Sequence, residues 1–96
     1  MRSYDYNGTE VFLERTSYHN GTLAVLMNDS NGDLYGVLTV NLCHPLQSDS
    51  MVFLDENNMP GIGAWVEKNN LGISMGVSVP SGFCRYPLFT LFGEQM

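Results

Sequence analysis

The sequence predicts an α+β fold, an antiparallel β-meander sheet of four to six strands with one packed helix over about 59–70, and three observations carry that expectation. Asn-Gly occurs at Asn7-Gly8, Asn20-Gly21 and Asn31-Gly32, each time between short segments rich in β-branched, aromatic and aliphatic residues. Both central positions of a type I′ turn need φ > 0, which Asn and Gly tolerate best, so such pairs are strong hairpin signals. Period-two alternation recurs from Leu34 and again from Ile73, whereas helical spacing of apolar residues appears only around Trp65.

Tyr4 to Tyr6 and Thr9 to Ser17 are the arms of the first hairpin. Thr22 to Asn28 follows, with Leu23, Val25 and Met27 on one face. Leu34 to Leu42 places Leu34, Gly36, Leu38, Val40 and Leu42 together; the opposite face, Tyr35, Val37, Thr39 and Asn41, is half apolar, so a central strand is expected. His44-Pro45 ends it, because proline donates nothing to a ladder. Met51 to Leu54 is a short strand that delivers the chain to the helix.

The helix has Asn58 or Met59 at its N-cap and Pro60 in its first turn, where a missing N–H costs nothing. Ile62, Trp65 and Val66 form its apolar stripe, with Trp65 as the expected main anchor, and Gly72 is expected in the left-handed position at its end. Gly61 and Gly63 weaken it by up to about 1 kcal/mol each. Ile73 to Val79 alternates as a half-buried strand or an extended edge, Pro80-Ser81-Gly82 turns the chain, and Phe83 to Phe92 is a last strand that Pro87 confines to an edge or a bulge.

With 96 residues, 44% hydrophobic and 15% charged, the composition suits one domain spanning 1–96 and excludes a disordered chain. The net charge is −6, from ten acids against four bases. Direct binding to nucleic acid needs clustered Lys and Arg, and only Arg2, Arg15, Lys68 and Arg85 exist, so no nucleic-acid partner is expected. A basic nucleic-acid-binding protein is the partner that the charge favours. No signal-type apolar core follows Met1-Arg2 and no segment approaches the length of a membrane span, so a cytoplasmic location is expected.

Little in the chain supports catalysis. A zinc site would have to gather Cys43, His44, Cys84 and His19, yet adjacent residues on an extended segment point to opposite faces, so Cys43 and His44 cannot readily chelate one ion together. Cys84 with His19 or His44 is the one nucleophilic pair available, and it has no recognisable base geometry or oxyanion pocket. No enzyme, catalytic residue, metal or cofactor is therefore expected, with a small Cys84-dependent hydrolase as the catalytic alternative. Asp55-Glu56 and Asn57-Asn58 precede the helix, where carboxylates and Asn cap amide donors.

Binding is the better prospect. Five Tyr, five Phe and one Trp exceed what one small sheet can cover, and tyrosine is enriched at interfaces. Strand alternation puts Glu10 and Glu14 on one side of the first long strand, and Asp29 and Asp33 flank Asn31-Gly32. With Tyr18 and Tyr35 these acids form the expected partner-binding set.

The succession Leu38-Thr39-Val40-Asn41-Leu42, Asp55-Glu56-Asn57-Asn58-Met59-Pro60, Glu67-Lys68-Asn69-Asn70-Leu71-Gly72 and Ser81-Gly82-Phe83-Cys84-Arg85-Tyr86-Pro87 resembles a family of short bacterial proteins classed only as a domain of unknown function. Its members look like accessory genes of plasmids, conjugative elements and phages. The resemblance implies a non-enzymatic accessory protein, most directly an anti-defence inhibitor that mimics nucleic acid and blocks a CRISPR effector or restriction nuclease. A structural or interaction module of the element's own replication or transfer machinery is the alternative it leaves open.

Overall fold

The computed structural model describes residues 2–42 and 46–93, so the expectation that His44-Pro45 ends a strand, with Cys43 beside it, lies outside the described residues. Asn7-Gly8 forms the tight turn its sequence requires, with φ of 52° and 90°, and joins β1 (Tyr4–Tyr6) to β2 (Thr9–Ser17). The other two Asn-Gly pairs turn differently. In each only the glycine is left-handed, Gly21 at 88° and Gly32 at 85°. The Tyr18 amide donates to the Thr22 carbonyl and the Asp29 amide to Asp33, both at 2.8 Å, the geometry of a three-residue loop with a glycine bulge. These loops connect β2 to β3 (Leu23–Asp29) and β3 to β4 (Leu34–Val37).

The α+β class holds, and its strands divide between two four-stranded antiparallel sheets rather than forming one. The first has the order β1-β2-β3-β4; the second joins β5 (Thr39–Val40), β6 (Met51–Leu54), β8 (Cys84–Leu91) and β7 (Gly72–Ser81) in the order β5-β6-β8-β7. What reads in sequence as one central strand from Leu34 to Leu42 changes sheets at Leu38, and both of its parts, β4 and β5, lie at the edges of their sheets.

The hand-over is visible in the hydrogen bonds. Leu26 pairs with Val37 and Met27 with Gly36, so Val25 and Leu38 come next and would exchange two backbone bonds in a regular ladder. The Leu38 amide does donate to the Val25 carbonyl at 3.0 Å, but the Leu38 carbonyl accepts from Asp55 at 2.8 Å and so begins the second sheet. That leaves the buried Val25 N–H without its backbone acceptor. Thr39 Oγ1 takes it at 3.2 Å and also bonds the Tyr18 hydroxyl at 2.9 Å.

Two further features go with irregular pairing. Asn28 pairs with Leu34 while Met27 pairs with Gly36, so Tyr35 is an extra residue and the alternation flips. Leu34 is consequently 61% exposed instead of buried. In β7 the register shifts between Ser74 and Ser78 around Gly76 (φ 80°), on the outermost strand of its sheet. Of the half-buried strand and the extended edge that its alternation allows, β7 is the edge, and Ile73, Met75 and Val77 are exposed there. Pro87 behaves as expected: it pairs with Ser78 just past this bulge, one position beyond the end of the β6 ladder.

The helix α1 (Ile62–Lys68) is shorter than its sequence signal. Its Asn58 or Met59 cap is not used; Gly61, at φ 86°, precedes the first turn without a capping side chain of its own, and Glu56 reaches over from the preceding turn. At the other end Asn70, not Gly72, takes the left-handed position at φ 57°, and the Leu71 amide closes back on Val66 at 2.9 Å. Gly72 serves a different need, since a Cβ there would lie 2.5 Å from the Thr90 carbonyl oxygen.

Ile62 and Val66 are completely buried and anchor the helix, whereas Trp65 lies half-buried at the margin. Tryptophan's polar edge explains the difference: Trp65 Nε1 donates to the Asp5 carbonyl at 2.8 Å and ties β1 to the helix. One cluster of buried side chains draws Val11, Val25 and Met27 from the first sheet, Val52, Leu54 and Phe89 from the second, and Ile62 and Val66 from the helix.

Thr39→Val keeps the shape of the hand-over residue and removes its oxygen, stranding the Val25 N–H. It is expected to lower unfolding free energy by about 1–3 kcal/mol, the cost of a buried unsatisfied donor, with Thr39→Ser losing clearly less. Urea denaturation of the two variants measures the difference, and equal losses would show that the hydroxyl is not what matters.

Candidate functional site

The six residues singled out from sequence fall in four places. Glu10 and Glu14 lie on the outward face of β2, because Val11 and Leu13 between and beside them are buried. Asp5, which the sequence reading overlooked, joins them: it pairs directly with Glu10 across the Asn7-Gly8 turn, and residues directly opposite in an antiparallel pair share a face. The two-residue turn fixes that register, so Asp5 was legible in principle. Glu14 accepts a hydrogen bond from Asn28 Nδ2 at 3.0 Å on the same face.

The turn acids are used differently. Asp29 Oδ1 accepts the amides of Asn31 at 2.9 Å and Asp33 at 3.0 Å, so its carboxylate is folded into its own loop. Asp33 is exposed beside it. Tyr18 lies at the far end of β2, its hydroxyl held by Thr39. Tyr35 belongs to neither group.

Tyr35 opens a cleft of about 400 Å3 lined by Tyr6, Tyr35, Gly36, Val37, Asp55, Asn58 and Met59. One wall comes from the bulge in β4 and the other from the turn between β6 and α1. The Leu38-to-Asp55 backbone bond fixes their spacing. Four aromatic rings lead to it in edge-to-face contact: Tyr4 on Trp65 at 6.0 Å between centroids, Trp65 on Tyr6 at 5.4 Å, and Tyr6 on Tyr35 at 6.0 Å. Tyr35 ends the series with 46% of its surface open. Burial first, then the neighbouring Tyr35 and Glu56, raises the pKa of the Tyr6 hydroxyl above its ordinary value.

Asp55 and Glu56 organise the helix entry, as the capping role read from their position requires. Asp55 is about nine-tenths buried; Oδ1 accepts the Asn58 amide at 3.3 Å and Oδ2 the Asn58 side-chain N–H at 2.8 Å. Glu56 Oε1 accepts the Gly61 amide at 2.9 Å and Oε2 the Gly63 amide at 2.7 Å. The second bond explains a glycine that appeared only to weaken the helix. A Cβ on Gly63 would sit 3.0 Å from Glu56 Oε2 and 3.1 Å from Phe89 Cζ.

Of the groups considered for nucleophilic or metal chemistry, His19 is exposed at the Asn20-Gly21 loop and Cys84 is a half-buried free thiol; Cys43 and His44 lie outside the described residues. Tyr86 stands beside Cys84, and desolvation, followed by that thiol and Asp55, raises its pKa. Among the described residues no three or more His, Cys, Asp or Glu side chains are grouped to hold a metal ion, and no helix is long and apolar enough to cross a membrane.

A family model described as Domain of unknown function (DUF4313) matches residues 12–95. No curated protein and no solved structure matches the chain.

Glu56→Ala would remove both carboxylate bonds at the start of a short helix. It is expected to cost about 1–2 kcal/mol, within the range of lost N-terminal caps, and thermal or chemical denaturation reads the loss. A neutral substitution would show that water replaces the carboxylate without penalty.

Proposed function

The chain belongs to the DUF4313 family, and we propose that it is a non-enzymatic acidic interaction protein that docks on the basic surface of a nucleic-acid-binding protein. The observation that carries this reading is the grouping of Asp5, Glu10 and Glu14 on the outward face of the first sheet. Like charges directly opposite each other in a sheet are destabilising, so the Asp5–Glu10 pairing works against the fold. A basic partner turns the same pairing to advantage, since complementary potentials speed encounter and fix orientation. The net charge of −6 acts in the same direction at longer range.

The resemblance to accessory proteins of mobile elements makes host defence nucleases, CRISPR effectors and restriction enzymes, the first partners to test. Their grooves are built for phosphates, and carboxylates on a rigid sheet occupy such grooves without becoming substrates. Components of an element's own replication or transfer machinery are the second set. Cys84 has no part in this reading.

The test is a titration of the chain against purified members of both sets at two salt concentrations, with Glu10→Lys and Glu14→Lys singly and together. Exposed charges are screened over about 8–10 Å near physiological ionic strength, so affinity is expected to fall as salt rises. The double reversal should weaken binding at least tenfold, chiefly through slower association. Stability should move the opposite way: Glu10→Lys replaces a repulsive cross-strand pair by an attractive one, a gain of about 0.2–1 kcal/mol. Cys84→Ser should bind as the parent does. A partner whose affinity ignores salt and both reversals would contradict the proposal.

A further inference from the structure

We infer that the cleft between Tyr35 and Asp55 is a receptor for one arginine side chain; that the arginine comes from the basic partner rests on the function proposed above, whereas the chemistry of the cleft does not. Four properties of the site point to this occupant. The volume, about 400 Å3, accommodates a side chain and not merely solvent, a water molecule taking about 30 Å3 in the liquid. No lysine or arginine of this chain is among the residues that line it.

The second property is the state of the Asp55 carboxylate. Among the described residues its two oxygens accept one hydrogen bond each, both from Asn58, out of about four acceptor positions that a carboxylate offers. A carboxylate that is nine-tenths buried and has accepting capacity left is a strong site for a charge-assisted donor. Glu56, close enough to influence Tyr6, adds negative potential although its own oxygens are committed to Gly61 and Gly63.

The third property is the aromatic wall. Tyr35 packs edge-to-face with Tyr6, and Tyr6 packs in the same way with Trp65, so the ring is braced while nearly half its surface stays open. Ring faces attract cations, and a braced ring loses little freedom on binding. The fourth is the means by which Tyr35 arrives there: it is the extra residue of the β4 bulge, and bulges re-aim side chains next to sites.

Among cations, arginine fits this combination better than lysine. A guanidinium is planar, weakly hydrated and forked, so it can stack on Tyr35 and present two N–H groups to Asp55 at once; an ammonium is a compact, strongly hydrated point charge. Asn58 and the Tyr6 hydroxyl remain to orient the remaining donors.

The experiment uses the full chain and three small probes, N-acetyl-arginine amide, N-acetyl-lysine amide and N-acetyl-citrulline amide, followed by amide chemical shifts in two-dimensional NMR. The arginine probe is expected to give saturable shifts at Tyr35, Gly36, Val37 and Asn58. The lysine probe should bind more weakly, and citrulline, which keeps the shape and loses the charge, should not saturate. Tyr35→Ala, at an exposed position, should weaken the arginine probe at least tenfold. Asp55→Asn should do the same, and the first variant keeps the test decisive if the second is unstable. Equal binding of citrulline, saturable shifts elsewhere only, or no effect of Tyr35→Ala would overturn the inference. The two proposals fail separately. If the arginine probe titrates while no basic protein binds, the acidic-docking reading falls and the cleft stands. If a basic protein binds, and binds Tyr35→Ala equally well, the cleft falls and the docking reading stands.

Discussion

Leu38 hydrogen-bonds in two directions, and the rest of the structure depends on that division. Its amide belongs to the first sheet through Val25 and its carbonyl to the second through Asp55. A strand that changes sheets must break one ladder to begin another, and the break leaves an orphan donor in the interior. Here the orphan is Val25 N–H, and a threonine hydroxyl takes it. Valine, almost the same shape as threonine, would satisfy the packing and not the hydrogen bond.

The same hand-over positions the surface features. Because the Asp55 amide is bound to the Leu38 carbonyl, the turn that follows β6 faces the bulged Tyr35 across the cleft and meets the first sheet at Gly36. A Cβ at Gly36 would come within 3.3 Å of Met59, so this contact is close, and the flexible thioether is what fills it. Glu56 then fixes the start of the helix, whose Ile62 and Val66 seal the core between the sheets. The carboxylate face and the cleft thus lie on a frame whose parts are each hydrogen-bonded to another part.

Much of this frame was legible in the sequence. Strands at Tyr4–Tyr6, Thr9–Ser17 and Met51–Leu54 have the expected bounds, and Val25 and Met27 face inward as alternation requires. Alternation failed where an extra residue interrupts it: Tyr35 flips Leu34 outward. In β7 it left half-buried strand and edge both open, and Ile73, Met75 and Val77 are exposed. A periodic pattern shows which residues share a face but not whether anything covers that face. The change of sheet at Leu38 was unreadable for a related reason, since Leu38-Thr39-Val40 looks the same in one strand or two. Of the candidate residues, Glu10 and Glu14 were correctly placed on one face, Asp5 was missed although the turn fixes its register, and the hydrogen-bonding roles of Tyr18 and Asp29 depend on tertiary partners or loop geometry. The Tyr35–Asp55 cleft joins residues distant in the chain, and no local signal announces it.

If the hand-over at Leu38 makes the two sheets one cooperative unit, native-state hydrogen exchange is its most direct test. The Leu38 and Asp55 amides, together with Val25, should exchange only through global unfolding, with the same dependence on denaturant as core amides of both sheets. Exchange of Leu38 and Asp55 through a separate low-energy opening, with the first sheet still protected, would show two sheets that merely touch and would contradict the account.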